Sequence, residues 1–203
     1  MDVAFPLQFT ADIEIIAHLV PDDGSYPPRT RMLKVMYDYT NKLARADIAK
    51  GFEAEKTYIR RYDEKQEYMV RPEPIGDCKR SYLGEVMPFP VIPDAILVGI
   101  TEMDGIECNH YMHVDFDTHI DVYLSKSTGS PVRIVQSSRD DSPTEPGQPP
   151  SLTPVLTYVY SNVRLAAPSA NHFELPSPYT YTNCDNQIGG FPYVHIAHYF
   201  VKF

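Results

Sequence analysis

The 203-residue chain has no tryptophan, only three cysteines and ten glycines, and just 18 Lys and Arg against 27 Asp and Glu. The resulting net charge of −9 argues against a protein that neutralises phosphates with clustered cations, so no nucleic-acid partner is expected. No run of about 18 apolar residues occurs, which excludes a transmembrane helix. Cys78, Cys108 and Cys184 include no C-x-x-C pair of the kind that binds zinc, and they allow one disulfide with one thiol left over. Ser81 lacks the Gly-x-Ser-x-Gly setting of a hydrolase nucleophile, and Gly189-Gly190 lacks the lysine and spacing of a phosphate loop. After Met1, the stretch Asp2-Val3-Ala4-Phe5-Pro6 has neither a basic region nor a long apolar run, so no signal peptide is expected in this chain.

Hydrophobic residues make up 43%, and the 15 tyrosines and 19 prolines are dispersed among short β-branched stretches, a mixture that suits strands bounded by turns. Period-two alternation supports that choice. Phe9, Ala11, Ile13, Ile15 and Ala17 alternate with polar residues from Gln8 to Ala17, as a strand with one buried face requires. The same pattern predicts strands over Met32 to Tyr39, Leu43 to Ile48, Lys56 to Tyr62 and Gln66 to Arg71, an antiparallel meander. Prolines 72, 74, 88, 90 and 93 exclude a long helix across that region, leaving Cys78 to Val86 as a short helix or an irregular crossing.

Alternation resumes over Ile96 to Thr101, Ile106 to Phe116, His119 to Leu124, Val132 to Ser137 and Pro154 to Leu165. Residues 139–153 hold four prolines among Ser, Asp and Gly and are expected to form a long mobile loop within one domain spanning 1–203. Tyr193 to Phe203 is aromatic and apolar and fits neither the helical nor the strand period.

A family pattern runs through the chain. Tyr37-Asp38-Tyr39, Asn41-Lys42 and Arg45 are followed by Asp77-Cys78-Lys79-Arg80, Ile92-Pro93-Asp94-Ala95 and Phe173-Glu174-Leu175-Pro176-Ser177 before Cys184. In order and spacing these pieces resemble the ependymin-related proteins. The resemblance implies an all-β fold of two stacked curved antiparallel sheets, an open half-barrel similar to bacterial lipoprotein carriers, with a hydrophobic pocket and one or two short helices. It implies a Cys78–Cys184 disulfide, a lipid or fatty-acid ligand, a secreted or vesicular location and a homodimer. Cys108 has no evident partner, the remaining cysteines of that pattern are missing, and no Asn-x-Ser/Thr sequon occurs. Residues 185–203 fall outside it, and a longer natural chain, for example one continuing into a papain-like protease, is the expectation.

Three sets of candidate residues follow. The inward strand positions Ile13, Ile15, Leu33, Val35, Tyr37, Tyr58, Tyr68, Ile120, Val122, Leu156 and Tyr158 would line an apolar cavity, where burying an acyl chain gains about 0.8 kcal/mol per CH₂. Alternatively they fill an ordinary core. His113, Asp115, Asp117, His119 and Asp121 would share one face of a continuous strand, but neighbours two apart lie about 6.6 Å from one another, so the favoured reading is a solvated face and no metal is assigned. Cys108 near His110 and His113 has no surrounding nucleophile motif and reads as a buried structural thiol. His195 and His198 would share a side only of a helical tail. Arg60, Arg61, Lys79 and Arg80 are candidates for an anionic headgroup at a pocket rim.

The expectation is therefore a non-enzymatic, cofactor-free binder of a hydrophobic small molecule. An interaction or accessory domain with a filled core is the alternative, and an enzyme comes third.

Overall fold

The computed structural model describes residues 1–24, 28–51, 54–140 and 151–191. Its strands are β1 (Val3–Ala4), β2 (Gln8–Ala17), β3 (Thr30–Asp38), β4 (Leu43–Lys50), β5 (Thr57–Arg61), β6 (Gln66–Arg71), β7 (Asp77–Tyr82), β8 (Val91–Ile92), β9 (Ile96–Met103), β10 (Ile106–Asp115), β11 (Thr118–Ser125), β12 (Pro131–Asp140), β13 (Ser151–Arg164) and β14 (Asp185–Asn186). The one helical element among the described residues is a 3-10 turn at Ala170–Phe173. The architecture is all-β: a large, curved, open sheet with a small second sheet and no closed barrel.

The large sheet has 12 strands in the order β14-β7-β6-β5-β4-β3-β2-β13-β12-β11-β10-β9. Two antiparallel meanders, β2 to β7 and β9 to β13, are joined where β13 pairs with β2. Among the described residues, only β14 on β7 is parallel. The second sheet is the two-stranded ribbon β1-β8.

Alternation fixes the register. Phe9 faces Tyr37, Ala11 faces Val35 and Ile13 faces Leu33 across β2 and β3, and all are buried. A one-residue slip would move this whole set into water. Small side chains stand opposite large ones: Ala44 faces Tyr37, and Ala46 lies between Val35 on one neighbour and Tyr58 on the other. Asp38 closes the β3–β4 hairpin by accepting from the Asn41 amide N–H at 3.0 Å, from Asn41 Nδ2 at 2.7 Å and from Gln8 Nε2 at 2.9 Å.

Both faces of the sheet carry apolar clusters. The inner face gathers the larger core, including Phe9, Ile13, Val35, Tyr58, Ile120 and Tyr158. The outer face carries Met36, Leu43, Ile59, Tyr68 and Val70, covered by Phe173, Leu175 and Tyr179 from the segment after β13. The Cys78–Cys184 disulfide secures that segment across a sequence separation of 106.

Two sequence expectations change. Residues 78–82 continue a strand instead of forming a helix or irregular crossing, because Cys78 and Arg80 pair with Val70 and Tyr68 on β6. The Pro-rich connection is shorter than 139–153, since Arg139 pairs with Leu152 and Asp140 with Ser151; residues 141–150 lie outside the described residues. Within residues 185–203, β14 and the buried Phe191 join the fold, while residues 192–203 lie outside the described residues. Among the described residues, no helix is long and apolar enough to cross a membrane.

Candidate functional site

The inner face unites nearly the whole predicted ligand-binding set. Ile13, Ile15, Leu33, Val35, Tyr37, Tyr58, Ile120, Val122 and Tyr158 belong to one buried cluster, and Leu156 is partly buried against it. Tyr68 is separated from them because β6 pairs it with Ile59, while Met69 stands opposite Tyr58. Tyr68 therefore lies in the outer cluster with Ile59 and Phe173.

What closes the inner face is thin. Val3, Phe5, Met87, Ile92 and Ala95 cover it from the β1-β8 ribbon and its flanks, and Phe191 adds to them. Hydrogen bonds fasten the cover. Phe5 N–H donates to the Pro90 carbonyl at 2.8 Å, and the Met1 ammonium donates to the Ala95 carbonyl at 2.8 Å. From the sheet itself, the Tyr37 hydroxyl donates to the Pro88 carbonyl at 3.1 Å. Burial, with smaller contributions from Tyr62 and Tyr39, raises the Tyr37 phenol far above its ordinary value, so it stays a donor.

At the β5–β7 end the inner face turns from apolar to charged, and a pocket of about 470 Å³ opens there. Arg60, Glu67 and Ser81 come from three successive strands, Tyr82 ends β7 and Leu83 to Glu85 follow it, and Asn186 to Phe191 complete the lining. Arg60 and Glu67 are directly opposed in the β5–β6 register, and Ser81 continues the row on β7. Arg60 Nη2 lies 2.9 Å from Glu67 Oε2. Its Nη1 pairs with Glu85 and donates to Tyr62 Oη at 3.2 Å.

The backbone completes this polar row: Phe191 N–H donates to Glu67 Oε1 at 3.0 Å. A Cβ on Gly190, which has φ +74°, would meet that same carboxylate oxygen at 2.8 Å, so the close approach requires glycine.

Burial alone would lower the Arg60 guanidinium, but Tyr62, Glu67 and Glu85 outweigh it and hold the group above its ordinary value. Burial pushes the Glu67 carboxyl up, opposed by Arg60 and the Phe191 N–H. The pocket thus combines a committed guanidinium with two carboxyl groups and apolar surface from Leu83 and Phe191.

Of the four cations expected at a rim, only Arg60 lines this pocket. Arg61 has the opposite parity and binds Asp63 and Glu64. Lys79 stands 4.0 Å from Asp77. Arg80 donates to the Cys184 carbonyl at 3.3 Å, with its guanidinium 4.2 Å from the Tyr181 ring centre. Arg60 shares the inward parity of Tyr58, a distinction that the four rim candidates were not given. Its partner Glu67 was legible only through the hairpin register, and no local signal identified the distant wall at Asn186 to Phe191.

The His and Asp stretch is not one strand face. Phe116 adopts a left-handed φ of 49° in a turn between β10 and β11, which reverses the chain. His113 then pairs with Ile120 in one row and His119 with Val114 in the other. On the outer row, Asp121 bridges His110 at 2.7 Å and His119 at 3.2 Å. Among the described residues no three His, Cys, Asp or Glu side chains converge to hold a metal ion. Cys108 is buried, its Sγ donates to the Ile106 carbonyl at 3.4 Å, and burial raises its thiol with a smaller contribution from Asp104. His195 and His198 lie outside the described residues.

No protein-family model and no curated protein matches the chain. Solved structures do match. An uncharacterized conserved protein from Thermus thermophilus aligns over 90% of both chains with a TM-score of 0.58 and 10% identity. MucB in complex with MucA(peri) covers 84% of this chain and 54% of its own, with a TM-score of 0.47 and 14% identity. A domain assigned to outer membrane lipoprotein sorting, from Vibrio parahaemolyticus, covers 82% and 88% respectively, with a TM-score of 0.34 and 9% identity. The Thermus likeness is one of fold.

Proposed function

We propose that this chain is a non-enzymatic, ependymin-like carrier of a hydrophobic ligand, a lipid or fatty acid, held between the inner face and its cover. The observation that carries the reading is the pairing of a continuous apolar sheet face with a cover built from a ribbon of two two-residue strands and irregular chain. The cover can be displaced without breaking the large sheet, and each CH₂ of an acyl chain that replaces it regains about 0.8 kcal/mol. The pocket at Arg60 and Glu67 gives the polar end of an amphipathic ligand a place at the margin of that face. The family resemblance at Tyr37-Asp38-Tyr39 and Asp77-Cys78-Lys79-Arg80 supports the same reading, as does the disulfide between Cys78 and Cys184.

A dansyl-labelled fatty acid tests it. Saturable one-to-one uptake with a blue-shifted emission, competed by oleate, is expected. Ala4 and Val91 are directly paired across the ribbon, so an Ala4→Cys/Val91→Cys variant should form a disulfide that blocks uptake when oxidised and permits it when reduced, with wild type under the same reductant as control. The close packing of the inner face favours a second reading, an interaction domain whose core is filled by its own side chains. Absence of uptake by folded wild-type protein would select that reading.

A further inference from the structure

The two ends of the large sheet are finished differently. At one end β14 caps β7; at the other, among the described residues, no strand lies beyond β9. Ile96, Leu97, Val98 and Ile100 on β9 are 47–59% exposed. Edge strands of soluble proteins are ordinarily blunted by Lys, Pro or shortness. β9 spans 8 residues and contains neither Lys nor Pro; its one irregularity is a bulge opposite His110/Tyr111. The uncharged run Ile96 to Thr101 is flanked by exposed acids at Asp94, Glu102 and Asp104.

The acids decide between partners. Antiparallel pairing with a second copy about Val98 would set Asp94 against Glu102, and pairing about Gly99 would set Asp94 against Asp104. The register about Val98 opposes like charges at both ends of the new ladder, which destabilises strand pairing; the register about Gly99 does so less, because Arg133 bridges Asp104 at 2.8 Å. Glu102 also stands opposite Glu107 within its own hairpin; Lys126 pairs with Glu107 at 3.1 Å, and among the described residues no cation pairs with Glu102.

The geometry points to β9 as a docking edge for an extended segment of another protein, apolar at alternate positions and carrying Lys or Arg at both ends. Main-chain hydrogen bonds would add it as a further strand, with its apolar side chains against Leu97 and Ile100 and its cations beside Asp94 and Glu102.

The probe is an end-blocked peptide, Lys-Val-Thr-Val-Thr-Val-Lys, titrated into the full chain. Amides of Ile96 to Thr101 should shift and gain protection from hydrogen exchange. Val98→Lys/Ile100→Lys should weaken binding at least tenfold with an unchanged thermal midpoint. Replacing both peptide lysines with Glu should also weaken it at least tenfold, a difference that shrinks in high salt. A peptide N-methylated at alternate amides keeps the side chains but cannot pair as a strand, so its failure to bind supports the ladder independently of the protein variant. The inference is overturned if the peptide does not bind, if it perturbs only other residues, if the Glu-ended peptide binds equally, or if sedimentation shows a dimer that Val98→Lys dissolves.

Discussion

Arg60 and Glu67 meet at 2.9 Å with their side chains only 5% and 4% exposed, a buried ion pair in the wall of the pocket. Removing one member leaves the other buried without its counter-charge, which typically costs about 3–5 kcal/mol, whereas exchanging both for apolar groups of similar volume can be neutral or better. Arg60→Met and Glu67→Leu should each lower the urea midpoint strongly, and the double variant should recover much of the loss. A double variant as weak as the sum of the singles would show that the two groups are not coupled.

Asp38 should make stability acid-sensitive. Burial tends to raise its carboxyl, but the hydrogen bonds from Asn41 and Gln8 outweigh that and hold it below the ordinary 3.8. The folded pKa is depressed, so its contribution is complete above the unfolded value and is lost as pH falls through the folded one. Asp38→Asn should therefore cost about 1.5–3 kcal/mol near neutrality, and the gap from wild type should narrow below about pH 4. A gap that stays constant down to pH 2 would contradict the depressed carboxyl.

The Cys78–Cys184 bond closes a loop with a separation of 106 residues. Removing a disulfide that spans about 100 residues costs roughly 2–5 kcal/mol. A Cys78→Ala/Cys184→Ala variant should lose stability on that scale, and its Asp185 to Phe191 amides should exchange faster than those of β2 and β3, because the pocket wall hangs from that bond.

Cys108 should be silent to a thiol reagent in the folded protein at pH 8, since burial shields it and raises its thiol. In denaturant one thiol per chain should react while the disulfide remains closed. Rapid labelling of native protein would place Cys108 at the surface.

The long strands were readable because period two records burial on a single face. β2 runs from Gln8 to Ala17 as its alternation requires, and β6 from Gln66 to Arg71. The same rule misled where both faces are covered: Tyr68 is as apolar as Tyr58, but the outer face has its own core beneath Phe173. Alternation ended one strand at Phe116 and began the next at His119, but it does not carry parity across a reversal, so the turn at Phe116 divided what looked like one row of His and Asp. The ribbon at Val3–Ala4 and Val91–Ile92 is too short to show a period. The wall at Asn186 to Phe191 reaches Glu67 through main-chain contacts more than a hundred residues away, beyond any local pattern.

The joint between β2 and β13 bears on how the chain is made. Each meander can assemble from neighbouring hairpins, but the two unite only through strands far apart in sequence, with Ile13 facing Tyr160 and Ile15 facing Tyr158. Loop closure on that scale comes late and slows folding. On a ribosome adding about 5–20 residues per second, the first meander waits many seconds with the apolar flank of β2 uncovered. During that interval β2 presents an open edge on which another strand can pair.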